Sequence, residues 1–230
     1  MLPLVSLPMS FLAYALIWAF FLAVPIARGV VSAQFGRMPS AMGRRVWLGM
    51  VCGSVLVIVN GLVLVLLGTH ARAGTWGAGA AGLLLNLGWA ITVATTEEMI
   101  VRGLLLTRLR QLWGDLAAIA VTAAVFAGMH VGRADFTVSG VLQYLADGLL
   151  LGWLAVRTGD IWAGAGFHFA KNLGVSVLFG GSKHLLSPAL VLVPGGHGWR
   201  PDLADLVAYA VAIPLCIALF RRSSLRHGKQ

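Results

Sequence analysis

The sequence predicts an all-α fold, a polytopic transmembrane helical bundle of about seven helices, and three observations predict it. Of 230 residues, 59% are hydrophobic and only 11% are charged, whereas a soluble domain carries roughly 25% charged residues. The apolar residues gather into seven runs, near 9–27, 46–69, 78–100, 116–131, 138–156, 161–181 and 203–220. Most are close to the ~20 residues that cross a bilayer's hydrocarbon. The basic residues alternate between the connections. One set holds Arg28, Arg37, Arg44, Arg45, Arg108, Arg110, Arg157, Arg221, Arg222, Arg226 and Lys229, and the other only Arg72, Arg133, Lys183 and Arg200. That asymmetry places the N-terminus outside and the C-terminus in the cytoplasm.

Each element follows in order. The first run lacks a basic leader region and reads as a retained helix rather than a signal peptide. The third run continues as helix to about Arg110, beyond the hydrocarbon, and Trp113-Gly114-Asp115 turns the chain into the fourth. Gly132-Arg133-Ala134-Asp135 and Thr158-Gly159-Asp160 make the next two turns. The segment 183–202, with His184, Pro188, Pro194 and His197, reads as a simple interfacial loop anchored by Trp199. His70 and His227 sit at helix ends. The whole of 1–230 is one integral membrane domain. Alternating ten-residue segments are absent, which excludes a β-barrel, and no internal repeat points to an inverted-repeat transporter.

The net charge of +9 is spread along the chain. It fits topogenic arginine and gives no surface for nucleic acid. The only cysteines, Cys52 and Cys216, lie in apolar runs and read as small hydrophobes, so neither a disulfide framework nor a cysteine metal site is expected. The Ala/Gly/Leu-rich composition suits a bacterial cytoplasmic membrane.

Against this background a few polar residues stand out. Glu97 and Glu98 are the only glutamates, adjacent in an apolar helix, where an acid costs on the order of 2.5–3.5 kcal/mol. The bland reading is a solvated helix-end pair, since Glu98 and Arg102 are i,i+4 partners. His130 and His168 lie in similar surroundings, and Asn172 shares a helix face with His168. For these the bland reading is an interhelical polar clamp. Depth favours one site. Glu97 is 13 residues from Arg110, His130 is 13 from Ala117 and His168 is 11 from Arg157, which at 1.5 Å per residue is about 16–20 Å in each case. Polar groups in lipid have only one another to satisfy them, so the three helices are expected to turn these side chains together. Lys171 and Asp147 are two further charges within apolar helices, expected to meet each other or a lipid headgroup.

Three short motifs stand in order on separate apolar helices: Glu97-Glu98-Met99-Ile100-Val101-Arg102, Phe126-Ala127-Gly128-Met129-His130 and His168-Phe169-Ala170-Lys171-Asn172. Together they resemble the CPBP family, the CAAX-processing and bacteriocin-processing (Abi) intramembrane proteases. The resemblance covers a core of about 85–181. It implies an endopeptidase acting near the terminus of a membrane-associated protein or peptide, and the His168/Asn172 pair, read as an oxyanion clamp, favours the glutamic over the metallo type. In that reading Glu97 with His130 activates water, His168 and Asn172 stabilise the oxyanion, and Arg102 orients Glu98. A carboxylate removed from water holds a proton more readily, which suits a general base. No metal or cofactor is favoured. Zinc held by Glu97, His130 and His168 is the alternative. Two further readings stay open: a proton-coupled transporter that uses the same residues as a relay, and a non-catalytic immunity or scaffold protein. The expected partners are membrane lipid and a substrate with a membrane-associated or C-terminal segment.

Overall fold

Long apolar stretches in lipid must satisfy their backbone internally, and here they do so as helices. A computed structural model describes residues 6–24, 28–29, 31–33, 41–68, 70–73, 79–132, 137–179, 190–193 and 200–224. Among these residues the helices are α1 (Ser6–Ala23), α2 (Met42–Leu66), α3 (Gly79–Glu98), α4 (Thr107–Gly128), α5 (Val138–Thr158), α6 (Trp162–Phe179) and α7 (Arg200–Ser224). A π-helical segment, Met99–Leu106, joins α3 to α4 without a break. The expected bundle of about seven helices is present, and the protein is an integral membrane protein.

Four helical runs are long and apolar enough to cross a membrane by length and composition: Met42–Leu66, Gly82–Gly128, Val138–Thr158 and Leu203–Arg221. The second has 47 residues, roughly 70 Å at 1.5 Å per residue, more than twice the hydrocarbon thickness. It is divided at Gly114, whose φ of 77° lies in the left-handed region that glycine adopts at little cost. Arg110 Nε donates to Asp115 Oδ1 at 2.7 Å across the turn. The helix therefore reverses at the Trp113-Gly114-Asp115 sequence. Leu16, Phe20, Ile58, Leu62, Leu84, Leu149 and Leu206 are exposed on helix surfaces, an apolar exterior suited to lipid.

At the other turns the local chemistry is equally direct. Thr137 Oγ1 accepts from the Gly140 amide and caps α5, and Gly159, with φ of 76°, ends it. Asp160 Oδ1 accepts from the Trp162 amide at the start of α6 and Asp160 also pairs with Arg45 beside the start of α2. The openings of α2 and α6 thus lie at one end of the bundle. Residues 183–202 were expected to form a simple loop. Instead Leu190–Val193 (β2) pairs antiparallel with His70–Ala73 (β1), with His70 opposite Val193. A lone extended segment leaves backbone groups unpaired, and this ribbon satisfies them. It also puts the α2–α3 and α6–α7 connections at the same end, as the charge alternation requires. The readings of Arg37, Arg133, Lys183, His184, Pro188, Pro194, His197, Trp199, Arg226, His227 and Lys229 lie outside the described residues.

The tightest packing joins α2 to α6. A Cβ on Gly49 would stand 2.1 Å from the Ala163 carbonyl oxygen, one on Gly53 2.4 Å from that of Phe167, and one on Gly166 2.2 Å from that of Val46. Small residues let helix backbones approach where lipid offers no hydrophobic drive. This closeness fixes α6, which carries His168, against a helix outside the resemblance. Cys52 and Cys216 are free and buried in the same core.

Candidate active site

The site is built where α3 passes into the π-helical segment. Trp18 Nε1 of α1 donates to Thr96 Oγ1 at 2.8 Å, holding the turn just before Glu97. The π-helical segment then spans Met99 to Leu106, a widened backbone that recurs at functional sites. Arg102 Nη1 meets Glu98 Oε1 at 2.9 Å, and both side chains are fully excluded from solvent. The helix-end alternative for this pair, a solvated turn, does not describe it. Arg102 Nη2 also donates to the Gly148 carbonyl of α5 at 3.3 Å, and its guanidinium lies 4.6 Å from the centroid of the Phe126 ring. A buried guanidinium needs this set of partners to offset its lost hydration.

Both glutamates stand beside the imidazole of α6. His168 Nδ1 stands 3.4 Å from Glu98 Oε1, and His168 Nε2 stands 3.7 Å from Glu97 Oε2. One imidazole therefore faces both carboxylates. Glu97 Oε2 and Glu98 Oε2 are buried and accept no hydrogen bond among the described residues. The 3.7 Å separation from Glu97 is too long for a hydrogen bond. Gly164 makes room on α6, since a Cβ there would lie 2.8 Å from Glu98 Oε2.

His130 and Asn172 are held differently. His130 follows the end of α4, with Nδ1 2.8 Å from the Phe126 carbonyl oxygen. Its ring stacks on Tyr144 with centroids 4.0 Å apart. Phe126 packs on both histidines, with its centroid 4.9 Å from His130 and 5.8 Å, edge-on, from His168. Asn172 is half-buried, one turn beyond His168 on α6. Among the described residues no three His, Cys, Asp or Glu side chains stand together at metal-binding spacing.

Lys171 and Asp147 meet each other, as one of the two readings anticipated. Lys171 Nζ pairs with Asp147 Oδ2, Tyr209 Oη donates to Asp147 Oδ1 at 2.8 Å, and Lys171 Nζ donates to Tyr209 Oη at 3.0 Å. This cluster borders a cavity of about 170 Å³ lined by Asn60, Gln143, Asp205, Leu56, Val57 and Val175 as well. Sequence reasoning gave no role to Tyr144, Gly148, Gly164 or Tyr209. A tyrosine inside an apolar helix near a charge was the available signal for Tyr144 and Tyr209. The glycines carried none, because each matters through the backbone it lets approach.

Fold and site define a membrane-embedded helical protein with a buried carboxylate–imidazole–guanidinium cluster. Residues 79–174 match the model of a family described as type II CAAX prenyl endopeptidase Rce1-like, which is consistent with the CPBP intramembrane proteases that the three motifs resemble. The match contains all three motifs. No curated protein and no solved structure matches the chain.

Proposed function

We propose that this protein is an intramembrane endopeptidase of CAAX type that hydrolyses a peptide bond near the terminus of a membrane-associated protein or peptide. The family match supports the coarser statement, a CAAX-type intramembrane protease. The observation that carries the site assignment is the meeting of Glu97, Glu98 and His168 with carboxylate oxygens left available in a buried place.

Amide hydrolysis needs a water, a base and donors for the oxyanion. In this reading Glu97 takes the water's proton with His130 beside the same water, and the hydroxide forms a bond to the scissile carbonyl carbon. His168 and Asn172 donate to the oxygen as it gains charge, which is worth most where bulk water is excluded. The proton passes to the departing amine as the C–N bond breaks. Arg102 orients Glu98, so that the cost of a second buried acid is offset by an ion pair. The reaction needs no metal in this reading. In this reading the N-terminus lies outside and the C-terminus in the cytoplasm of a bacterial membrane, an orientation that the charge alternation supports.

The test is cleavage by purified protein in lipid. Glu97→Ala, His130→Ala and His168→Ala should each abolish cleavage of a terminal peptide substrate, with undiminished folded protein in membranes. Full activity in any of the three removes that residue from the site. A transporter would instead show proton-coupled flux in liposomes that Glu97→Gln removes.

A further inference from the structure

We infer that Asp147 and Lys171 are positioning residues for the catalytic cluster, locking His168 and Arg102 to one point on α5. The inference rests on the endopeptidase reading above. Two consecutive residues of α5 grip two different catalytic elements. The Gly148 carbonyl accepts from Arg102 Nη2 at 3.3 Å, and Arg102 holds Glu98. The Asp147 carboxylate pairs with Lys171, three residues beyond His168 on α6. Because His168 itself faces Glu98 at 3.4 Å, the contacts close a ring: Glu98, Arg102, Gly148, Asp147, Lys171, His168 and back to Glu98.

The ring has backing on both sides. Tyr209 of α7 donates to Asp147 and accepts from Lys171, fixing the ion pair from outside. On the other face α5 rests on α4 so closely that a Cβ on Gly148 would stand 2.6 Å from the Ala123 Cα. Asp147 is 5% exposed, and a buried charge pair is retained at a desolvation cost that uncharged side chains would avoid. Its placement explains the retention. An apolar pair would pack α5 on α6 but leave their relative register free, and a slip of about 1 Å can cost a hundredfold in rate.

The test uses the full chain in lipid, with rates expressed per folded protein. Asp147→Asn and Lys171→Met should each lower kcat about tenfold or more with KM little changed. The double variant Asp147→Asn/Lys171→Met, which leaves no unpaired charge and so folds where a single variant does not, should show the same loss. The exchange Asp147→Lys/Lys171→Asp should recover activity, as a register lock predicts and simple packing does not. Wild-type kcat in the double variant, or a rate loss that only follows the loss of folded protein, overturns the inference. A readout independent of substrate separates this from the endopeptidase reading. In ¹⁵N-histidine spectra, the His168 signal, identified by its loss in His168→Gln, should move in the double variant while that of His130 stays. If wild type cleaves nothing, the endopeptidase reading fails, and an unmoved His168 signal still overturns the positioning role.

Discussion

Gly164 and Glu98 sit so close that a methyl group on the glycine would stand 2.8 Å from the carboxylate's Oε2. Glu98 cannot retreat freely, because its other oxygen is held by Arg102. Gly164→Ala should therefore leave the bundle folded but displace Glu98 from His168. Cleavage rates per folded protein should fall by about tenfold or more, the sensitivity expected of a misplaced reacting group.

Arg102 is the largest fully buried side chain among the described residues. Its replacement by methionine takes the guanidinium partner from the buried Glu98, a change worth on the order of 3–5 kcal/mol. Unfolding in detergent should register that loss directly. Arg102→Lys should recover only part of it. A single ammonium cannot reproduce the planar fork that reaches Glu98 and Gly148 while lying over Phe126.

Much of this was legible in the sequence, and the rest was hidden for identifiable reasons. Apolar run length, glycine turns and arginine alternation are local signals, and they located the helices and the reversal at Gly114. The cost of a charge in lipid made Glu97, Glu98, His168, Arg102, Lys171 and Asp147 conspicuous. Which of these touch was only partly readable. Helical arithmetic gave depth along the membrane normal but not rotation about each axis, so it placed His130 level with Glu97 without showing that it stacks on Tyr144. The π-helical segment leaves no sequence mark, because its residues, Met99 to Leu106, would serve equally in an α-helix. The β1–β2 ribbon joins two short segments more than a hundred residues apart, which no local pattern reveals.

The grip of α2 on α6 should be as intolerant as its spacing suggests. Gly53→Leu forces a side chain against the Phe167 carbonyl, where a Cβ alone would approach to 2.4 Å. Overpacking of this kind costs about 1–3 kcal/mol or more. Gly43→Leu, on the same helix with nothing within 4 Å of an added Cβ, should be silent. Comparing the amounts of folded protein extracted from membranes checks both.

Metal dependence is open to a direct measurement. Exhaustive chelation of the purified protein, followed by assay in metal-free lipid, should leave cleavage unchanged. Activity lost on chelation and restored by zinc would assign the metal a role that the spacing of Glu97, His130 and His168 does not suggest.

The most direct test of the central claim compares protein termini in membranes from cells that carry either the wild-type protein or Glu97→Ala at matched folded abundance. At least one membrane-associated protein should keep an untrimmed terminus only in the variant, and purified wild type should trim that terminus in lipid. Identical termini in the two strains, with no cleavage by the purified protein, would contradict the assignment of Glu97 as the base that activates a hydrolytic water.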